Sequence, residues 1–387
     1  MKLEYQIRSF EQVFSKYDGV LPLHRFLFAY FKQNKQMGSS DRRWATRYLY
    51  SFFRLGNALK NEDQIVRLAI ADFLCNETGS LVISQHLPQF AEQLLLPVQA
   101  KLALIADAYP AFKLSDVFPF KEELSESIDY TEFLQSFFIQ PDLFLSVRPD
   151  TLQQLVELME QAEVPVREIS DKTLALPNGT KLEKLIPENL YYQVQDLSSQ
   201  KTGEFFAPKV YDYWWDCCAA SGGKSLLLYG MEPKIQLLVS DVREKSLNNL
   251  DERFIAAGLK KYQKKVLDLQ LNNDQDLHDY TFDGIILDAP CSGSGTWGRT
   301  PEMLWHFDSY KVEYFSKLQK NIAANVVKYL KTGKPLIYIT CSVFKQENED
   351  VIDYLTANLP LTLESKQVIK GYNDKADTMF VARLIKK

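Results

Sequence analysis

Through the first 140 residues, apolar positions recur at three- and four-residue intervals, the period of helices with one buried face. "HRFLFAYFKQ" (24–33) and "RRWATRYLYSFFRLGNAL" (42–59) carry it most clearly. "GSSD" just before Arg42 predicts a helix start, with Ser or Asp as cap. "SQHLPQFAEQLLL" and "PVQAKLALIADAYP" continue the pattern with prolines as punctuation. From about 141 the pattern changes. "DLFLSVRP" predicts a strand and "DTLQQLVELMEQAEV" a helix. "PVREISDKTLALPNGTKL" predicts two short strands around an Asn-Gly turn at Asn178 and Gly179, and "YYQVQDLSSQ" (191–200) links this module onward. From about 201, apolar runs such as "YDYWWD", "QLLVSD", "KKVLDL", "DGIILD" and "PLIYIT" alternate with helical stretches such as "EKSLNNLDERFIAAGL" and "VEYFSKLQKNIAANVVKYL". That alternation predicts a doubly wound, mainly parallel α/β sheet, with "DTMFVARLIKK" as its last strand. The expected organisation is a helical domain at 1–140, a small α/β linking module at 141–200 and a Rossmann-like domain at 201–387.

Such sheets bind ligands beyond the carboxyl ends of their strands. The residues expected there are Asp216 to Cys218, Asp241, Asp268, Asp288 to Cys291, and Thr340 to Ser342. The first turn, "DCCAASGGKS" (216–225), ends like a phosphate-binding loop, but that motif needs glycine where Cys218 stands. The dinucleotide fingerprint fails too, since the turn holds only Gly222 and Gly223. An adenosine-type ligand without a pyrophosphate fits better. Asp241, about 25 residues past the loop, is placed to accept ribose hydroxyls, and Asp268 to reach the adenine side. Any one of these aspartates alone reads as a helix cap; the series on one rim reads as a ligand site.

Composition narrows the class. A chain 46% hydrophobic and 25% charged forms a packed core rather than a disordered coil. No apolar run approaches the roughly 18 residues that span a membrane, and "MKLEYQIRSFEQ" is no secretory signal. The five cysteines are odd in number, which argues against a disulfide framework and for a cytoplasmic protein with free thiols. Zinc is disfavoured: Cys217 and Cys218 are adjacent, and no histidine flanks the turns at Cys291 or Cys341. The net charge of −5 hides an asymmetry, because residues 1–60 hold 11 Lys/Arg against four acids. A basic start of that kind suits a phosphate backbone, although a solvated helical surface also accounts for it.

"DCCAASGGK", "LDAPCSGSG…RTPE" and "TCSVFKQENE" together resemble the motifs of the RNA cytosine-C5 methyltransferases related to the bacterial 16S rRNA enzyme RsmB and the eukaryotic NOL1/NOP2/Sun proteins. "VQDLSSQ" (194–200) is similar to the segment preceding that family's first motif, and "GSSDRR" to the helical domain of some bacterial members. The resemblance implies a class I, Rossmann-like domain using S-adenosylmethionine. Cys218, Ala219, Ala220, Ser221, Gly222, Gly223 and Lys224, with Asp241, Asp268 and Asp288, would hold that cofactor. It implies Cys341 as nucleophile and Cys291 in product release; from the chemistry, Asp288 is expected at N3 of the cytosine and Lys224 at its exocyclic edge. One departure is Ser221, where the family usually has proline, so weaker preorganisation of the loop is expected.

The chemistry accounts for the residue types. Thiolate addition at C6 of cytosine makes C5 nucleophilic, splitting one hard step into easier ones. A helix start after "TCS", or nearby Lys224, is expected to favour the Cys341 thiolate. The expected partner is RNA, most often rRNA, presenting a single-stranded or flipped-out cytosine, with no metal and no membrane. Trp297, Arg299 and Trp305 are candidates to line the RNA cleft, against a packing role for the tryptophans and a solvated charge for Arg299. The alternatives are a tRNA methyltransferase, an RNA-binding assembly factor with dispensable methylation, and a DNA cytosine methyltransferase that would attack through Cys291.

Overall fold

The computed structural model describes residues 2–187 and 192–387, so Tyr191 of the linking segment lies outside the described residues. The chain divides into two compact units. One comprises residues up to Leu124, Asp129–Gln140 and Thr296–Asp308; the other comprises Ser125–Ile128, Pro141–Gly295 and Ser309–Lys387.

The first unit is helical. Its helices include Leu3–Phe14, Leu23–Gln33, Ser39–Arg54 and Gln64–Cys75. The three- and four-residue spacing of the sequence becomes an aromatic core of Phe10, Tyr48, Phe52 and Phe53, all essentially inaccessible. The first turn of Ser39–Arg54 is closed by Asp41, whose carboxylate accepts from Gly38 N at 3.1 Å. Several cations are internal fasteners. Arg47 forks onto Asp72 at 2.7 and 3.0 Å, and buried Arg54 donates to Phe137 O at 2.6 Å. Residues 296–308, which follow the Cys291 turn in sequence, pack in this unit. Trp297 is buried against Phe118 and Phe307, with ring centroids 5.8 and 4.8 Å apart. Trp305 packs on Phe14, Phe52 and Phe53. Glu302 of "RTPE" accepts from Leu23 N at 3.0 Å, capping a helix that starts with no side-chain cap of its own. Trp297 is therefore a core residue and not cleft lining, while Trp305 and Arg299 are half-buried.

The second unit holds two sheets. In the smaller, β1 (Leu143–Val147), β2 (Arg167–Ser170), β3 (Thr173–Leu176) and β4 (Tyr192–Val194) lie in the order β2-β3-β1-β4, all antiparallel. The hairpin turn falls at Asp171 and Lys172, and not at Asn178-Gly179 as the sequence suggests. The Asn-Gly pair follows β3, with Gly179 left-handed at φ 85°. Burial decides the register: all four residues of β3 are buried, so the buried "TLAL" run pairs with both neighbours.

The larger sheet runs β10-β11-β9-β8-β5-β6-β7. Its strands are β5 (Tyr213–Asp216), β6 (Gln236–Asp241), β7 (Gln263–Val266), β8 (Gly284–Asp288), β9 (Pro335–Thr340), β10 (Leu361–Ile369) and β11 (Met379–Lys386). Strands β5 to β9 are parallel, and β11 runs antiparallel between β9 and β10. This is the doubly wound, Rossmann-like sheet the alternation predicts. "GIILD" and "PLIYIT" are continuous apolar runs because helices cover both faces of the sheet; β9 is buried along its whole length. The chain leaves β5 toward β6 and β7, then returns to the other side of β5 for β8 and β9. The strand order therefore switches between β5 and β8, which opens a crevice at their carboxyl ends.

Candidate active site

Three strands deliver acids to that crevice. Asp216 ends β5, Asp241 ends β6 and Asp288 ends β8. Asp268 stands two residues beyond β7, half-buried, and its carboxylate closes a local turn by accepting from Gln270 N at 3.0 Å.

The loop after β5 is held in a strained, defined shape. Ala219 N donates to Ser240 O at 2.9 Å, and Ala220, at φ 46°, donates from its N to Asp241 Oδ2 at 3.0 Å. Gly222 is left-handed at φ 81°, and a Cβ there would lie 2.5 Å from the Phe254 ring and 2.9 Å from Leu250. Only glycine meets both conditions, so the first glycine of the pair answers a backbone and packing demand. Ser221 has its own fastening: Arg253 Nη1 donates to Ser221 Oγ at 2.7 Å and to Ser221 O at 2.9 Å. Cys217 points into the core, while Cys218 is partly exposed on the loop.

Below the loop, the helix Gly223–Met231 sends two side chains to the acids. Ser225 Oγ donates to Asp216 Oδ2 at 2.7 Å. Lys224 Nζ donates to Asp288 Oδ2 at 3.0 Å and to Ser199 Oγ at 2.8 Å. The segment "VQDLSSQ" is thereby accounted for: Gln195 Nε2 donates to Gly223 O at 3.2 Å, and Ser199 orients Lys224. Asp216 is fully buried and its Oδ1 has no partner; burial pushes its carboxyl up to about 7 against the pull of the Ser225 hydroxyl.

The loop and acids suit a nucleoside bearing a cationic, non-phosphate group. The loop backbone carries small side chains, Asp241 and Asp288 supply carboxylate acceptors, and no lysine or arginine other than Lys224 and Arg243 pairs with either acid among the described residues. Carboxylate acceptors therefore face the ligand, which suits ribose hydroxyls and disfavours a polyanion.

β8 and β9 are adjacent and parallel, and each ends in a cysteine turn. Ala289 N donates to Ile339 O at 2.8 Å, and Gly295 N donates to Cys341 O at 2.8 Å. A Cβ on Gly295 would lie 1.9 Å from Thr378 O, so glycine lets the Cys291 turn close on the sheet. The outcome is that Cys291 Sγ and Cys341 Sγ stand 3.4 Å apart, 50 residues distant in sequence. The contact with Cys341 and burial together push the Cys291 thiol well above its ordinary range. The helix expected immediately after "TCS" is displaced: a short 3-10 turn, Lys345–Glu347, intervenes, and the regular helix begins at Glu349. Lys224 is engaged with Asp288 and Ser199.

At the cysteine turns, two groups escaped the sequence reading. Glu347 is inaccessible, with Ser292 N donating to its Oε2 at 2.8 Å and Ser342 Oγ donating to its Oε1 at 2.8 Å. Asn348 Oδ1 accepts from Thr340 Oγ1 at 2.6 Å, and its Nδ2 donates to Ser342 O at 2.9 Å. The signal was present as "QENE" after the second cysteine, but nothing local says that an acid six residues on folds back onto both turns.

Among the described residues, no group of three or more His, Cys, Asp or Glu is arranged to hold a metal, and no helix is long and apolar enough to cross a membrane.

Comparison with known proteins places this geometry. The family model described as 16S rRNA methyltransferase RsmB/F matches residues 204–384. The chain is 35% identical over 164 residues to ribosomal RNA small subunit methyltransferase B of Shewanella oneidensis, covering 42% of this chain and 38% of that protein. It is 32% identical over 231 residues to the protein of that name from Citrobacter koseri, covering 55% and 53%. The chain thus spans about half the length, or less, of the curated relatives it matches. Among solved structures, PH0851 is similar over 100% of this chain and 99% of its own, with a TM-score of 0.71 at 20% identity. NSun6 from Pyrococcus horikoshii is similar over 70% and 96%, with a TM-score of 0.58 at 16% identity. These two share the fold. The family match thus covers residues 204–384, a little under half of the chain, including the loop after β5 and both cysteine turns.

Proposed function

We propose that the protein is an S-adenosylmethionine-dependent RNA cytosine-C5 methyltransferase, with rRNA as the substrate class. The observation that carries the reading is the pair Cys291 and Cys341, sulfur to sulfur at 3.4 Å, on the rim where the loop 217–222 and three aspartates converge. The names of the matching family and of the curated relatives support rRNA over tRNA.

In this reading the Cys341 thiolate forms a bond from Sγ to C6 of an unstacked cytosine, and the C5–C6 π pair becomes available at C5. S-adenosylmethionine, when bound, supplies the methyl group. The loop 218–224, Asp241 and Asp288 would hold and orient it, with Asp268 at the far end of the same rim. Lys224, tethered by Asp288 and Ser199, is the cation at the polar edge of the base. For turnover the C5 proton leaves to a base, the C6–S bond breaks, and the C5–C6 double bond returns. Cys291 assists that release beside the departing Cys341 sulfur.

The test is a denaturing gel of wild type, Cys341→Ala and Cys291→Ala after incubation with S-adenosylmethionine and unmodified cellular RNA. Cys291→Ala should accumulate a protein–RNA adduct, and Cys341→Ala should form none. Reversal of the two lanes would reassign the nucleophile. Absence of adduct and of methyl transfer in every lane would favour an RNA-binding assembly role.

A further inference from the structure

The two cysteine turns belong to different strands and meet through backbone hydrogen bonds and through serines, Val343 N donating to Ser294 Oγ at 2.9 Å and Ser292 Oγ donating to Ser342 Oγ at 3.3 Å. One buried carboxylate joins them. Glu347 Oε2 accepts from Ser292 N at 2.8 Å and from Gln319 Nε2 at 3.1 Å, which fastens the Cys291 turn. Gln319 reaches that turn a second time, donating to Pro290 O at 3.0 Å. Glu347 Oε1 accepts from Ser342 Oγ at 2.8 Å, which fastens the Cys341 turn. The Glu347 carbonyl accepts from Tyr338 Oη at 2.7 Å, so the carboxylate's own backbone is anchored on β9. Among the described residues, no lysine or arginine forms an ion pair with Glu347. A buried anion without a cation is costly, and three hydrogen bonds only partly offset the cost.

We propose that Glu347 is a positioning residue whose carboxylate ties the two cysteine turns together and assigns the two thiols different roles. This rests on the methyltransferase reading for its purpose, but not for its geometry. Cys291 is flanked by Ser292, whose amide is held by Glu347. The negative charge of Glu347 adds to the Cys341 contact and to burial in opposing a second negative charge at Cys291. The titratable groups facing this pair are Cys291 on the β8 turn, Cys341 on the β9 turn, Tyr338 on β9 and Glu347 itself. With no cation in that set, the arrangement disfavours a Cys291 thiolate. The amide variant Glu347→Gln conserves the shape: its oxygen can serve Ser292 and Gln319, and its NH2 can donate to Ser342 Oγ.

The experiment reads thiol chemistry directly, without RNA or cofactor. The full-length protein is alkylated with iodoacetamide from pH 6 to 10, and each cysteine is followed by peptide mass spectrometry. In wild type, Cys341 should label faster than Cys291 at neutral pH; equal or reversed rates overturn the proposal, whatever the variants do. In Glu347→Gln, the Cys291 profile should move to lower pH, labelling about tenfold faster near neutrality for each unit of displacement. A Cys291 profile that superimposes on wild type, in a variant with an unchanged melting curve, also overturns it. The adduct gel described under the proposed function tests that function separately, and its failure beside the expected labelling would leave this result standing.

Discussion

Asp216 has no exposed side-chain surface, and only one of its two oxygens has a partner. Its carboxyl is pushed from the ordinary 3.8 up to about 7, first by burial and then by neighbouring Asp288 and Asp241, against the Ser225 hydrogen bond. The folded state therefore favours the protonated form. That contribution is fully present below the unfolded carboxyl value of about 4, and is lost as pH rises through about 7. Wild type should lose stability relative to Asp216→Asn across that window, by on the order of 1–3 kcal/mol between pH 5 and pH 8. Urea denaturation of both proteins at the two pH values checks this. A gap that does not change with pH would mean that Asp216 ionises alike in the folded and unfolded chain.

At the scale of elements, the helix Glu244–Ala257 does more than cover the sheet. Its Phe254 and Leu250 leave room only for glycine at 222, and its Arg253 clamps Ser221 through both the hydroxyl and the carbonyl. Where the family usually carries proline, this chain carries a hydrogen-bonded clip, so the looser loop expected from Ser221 has a restraint the sequence did not reveal. Arg253→Ala should lower S-adenosylmethionine affinity by on the order of tenfold, the worth of one or two such bonds. Ser221→Pro added to Arg253→Ala should recover most of that affinity, since proline restrains the same backbone covalently. Calorimetric titration of wild type and the two variants decides; an Arg253→Ala protein that binds like wild type would show the clip to be dispensable.

At the scale of the whole molecule, charge is sorted by use. Of the 11 cations in residues 1–60, Arg42, Arg47 and Arg54 are spent on internal hydrogen bonds. Lys2, Arg8, Lys16, Arg25, Lys32, Lys35, Arg43 and Lys60 remain exposed, and none of them forms an ion pair among the described residues. Lys32, Lys35 and Arg43 flank the turn between Leu23–Gln33 and Ser39–Arg54. Replacing these three by glutamate should weaken RNA binding and flatten its dependence on salt, by about 0.7 in slope for each phosphate no longer neutralised on a single strand. Fluorescence anisotropy with an RNA oligonucleotide across a salt series measures both. An unchanged slope would place the phosphate-binding cations elsewhere.

Local pattern alone determined the helical start, the Rossmann-like alternation, and the rim on which Asp216, Asp241, Asp288, Cys291 and Cys341 would stand. It did so because strand and helix periods, and the ends of buried apolar runs, are properties of short stretches. Tertiary structure decided the rest. The hairpin turn moved to Asp171-Lys172 because burial of the whole of β3 sets the pairing. Trp297 became core because residues 296–308 pack with the helices of the first unit, a long-range choice with no local signal. The 3.4 Å approach of the two thiols follows from β8 and β9 being neighbours, which spacing suggested and only pairing could establish. Glu347, Arg253 and Ser199 were invisible as site residues, because a polar side chain acquires its partner only when distant backbone is brought within hydrogen-bond reach.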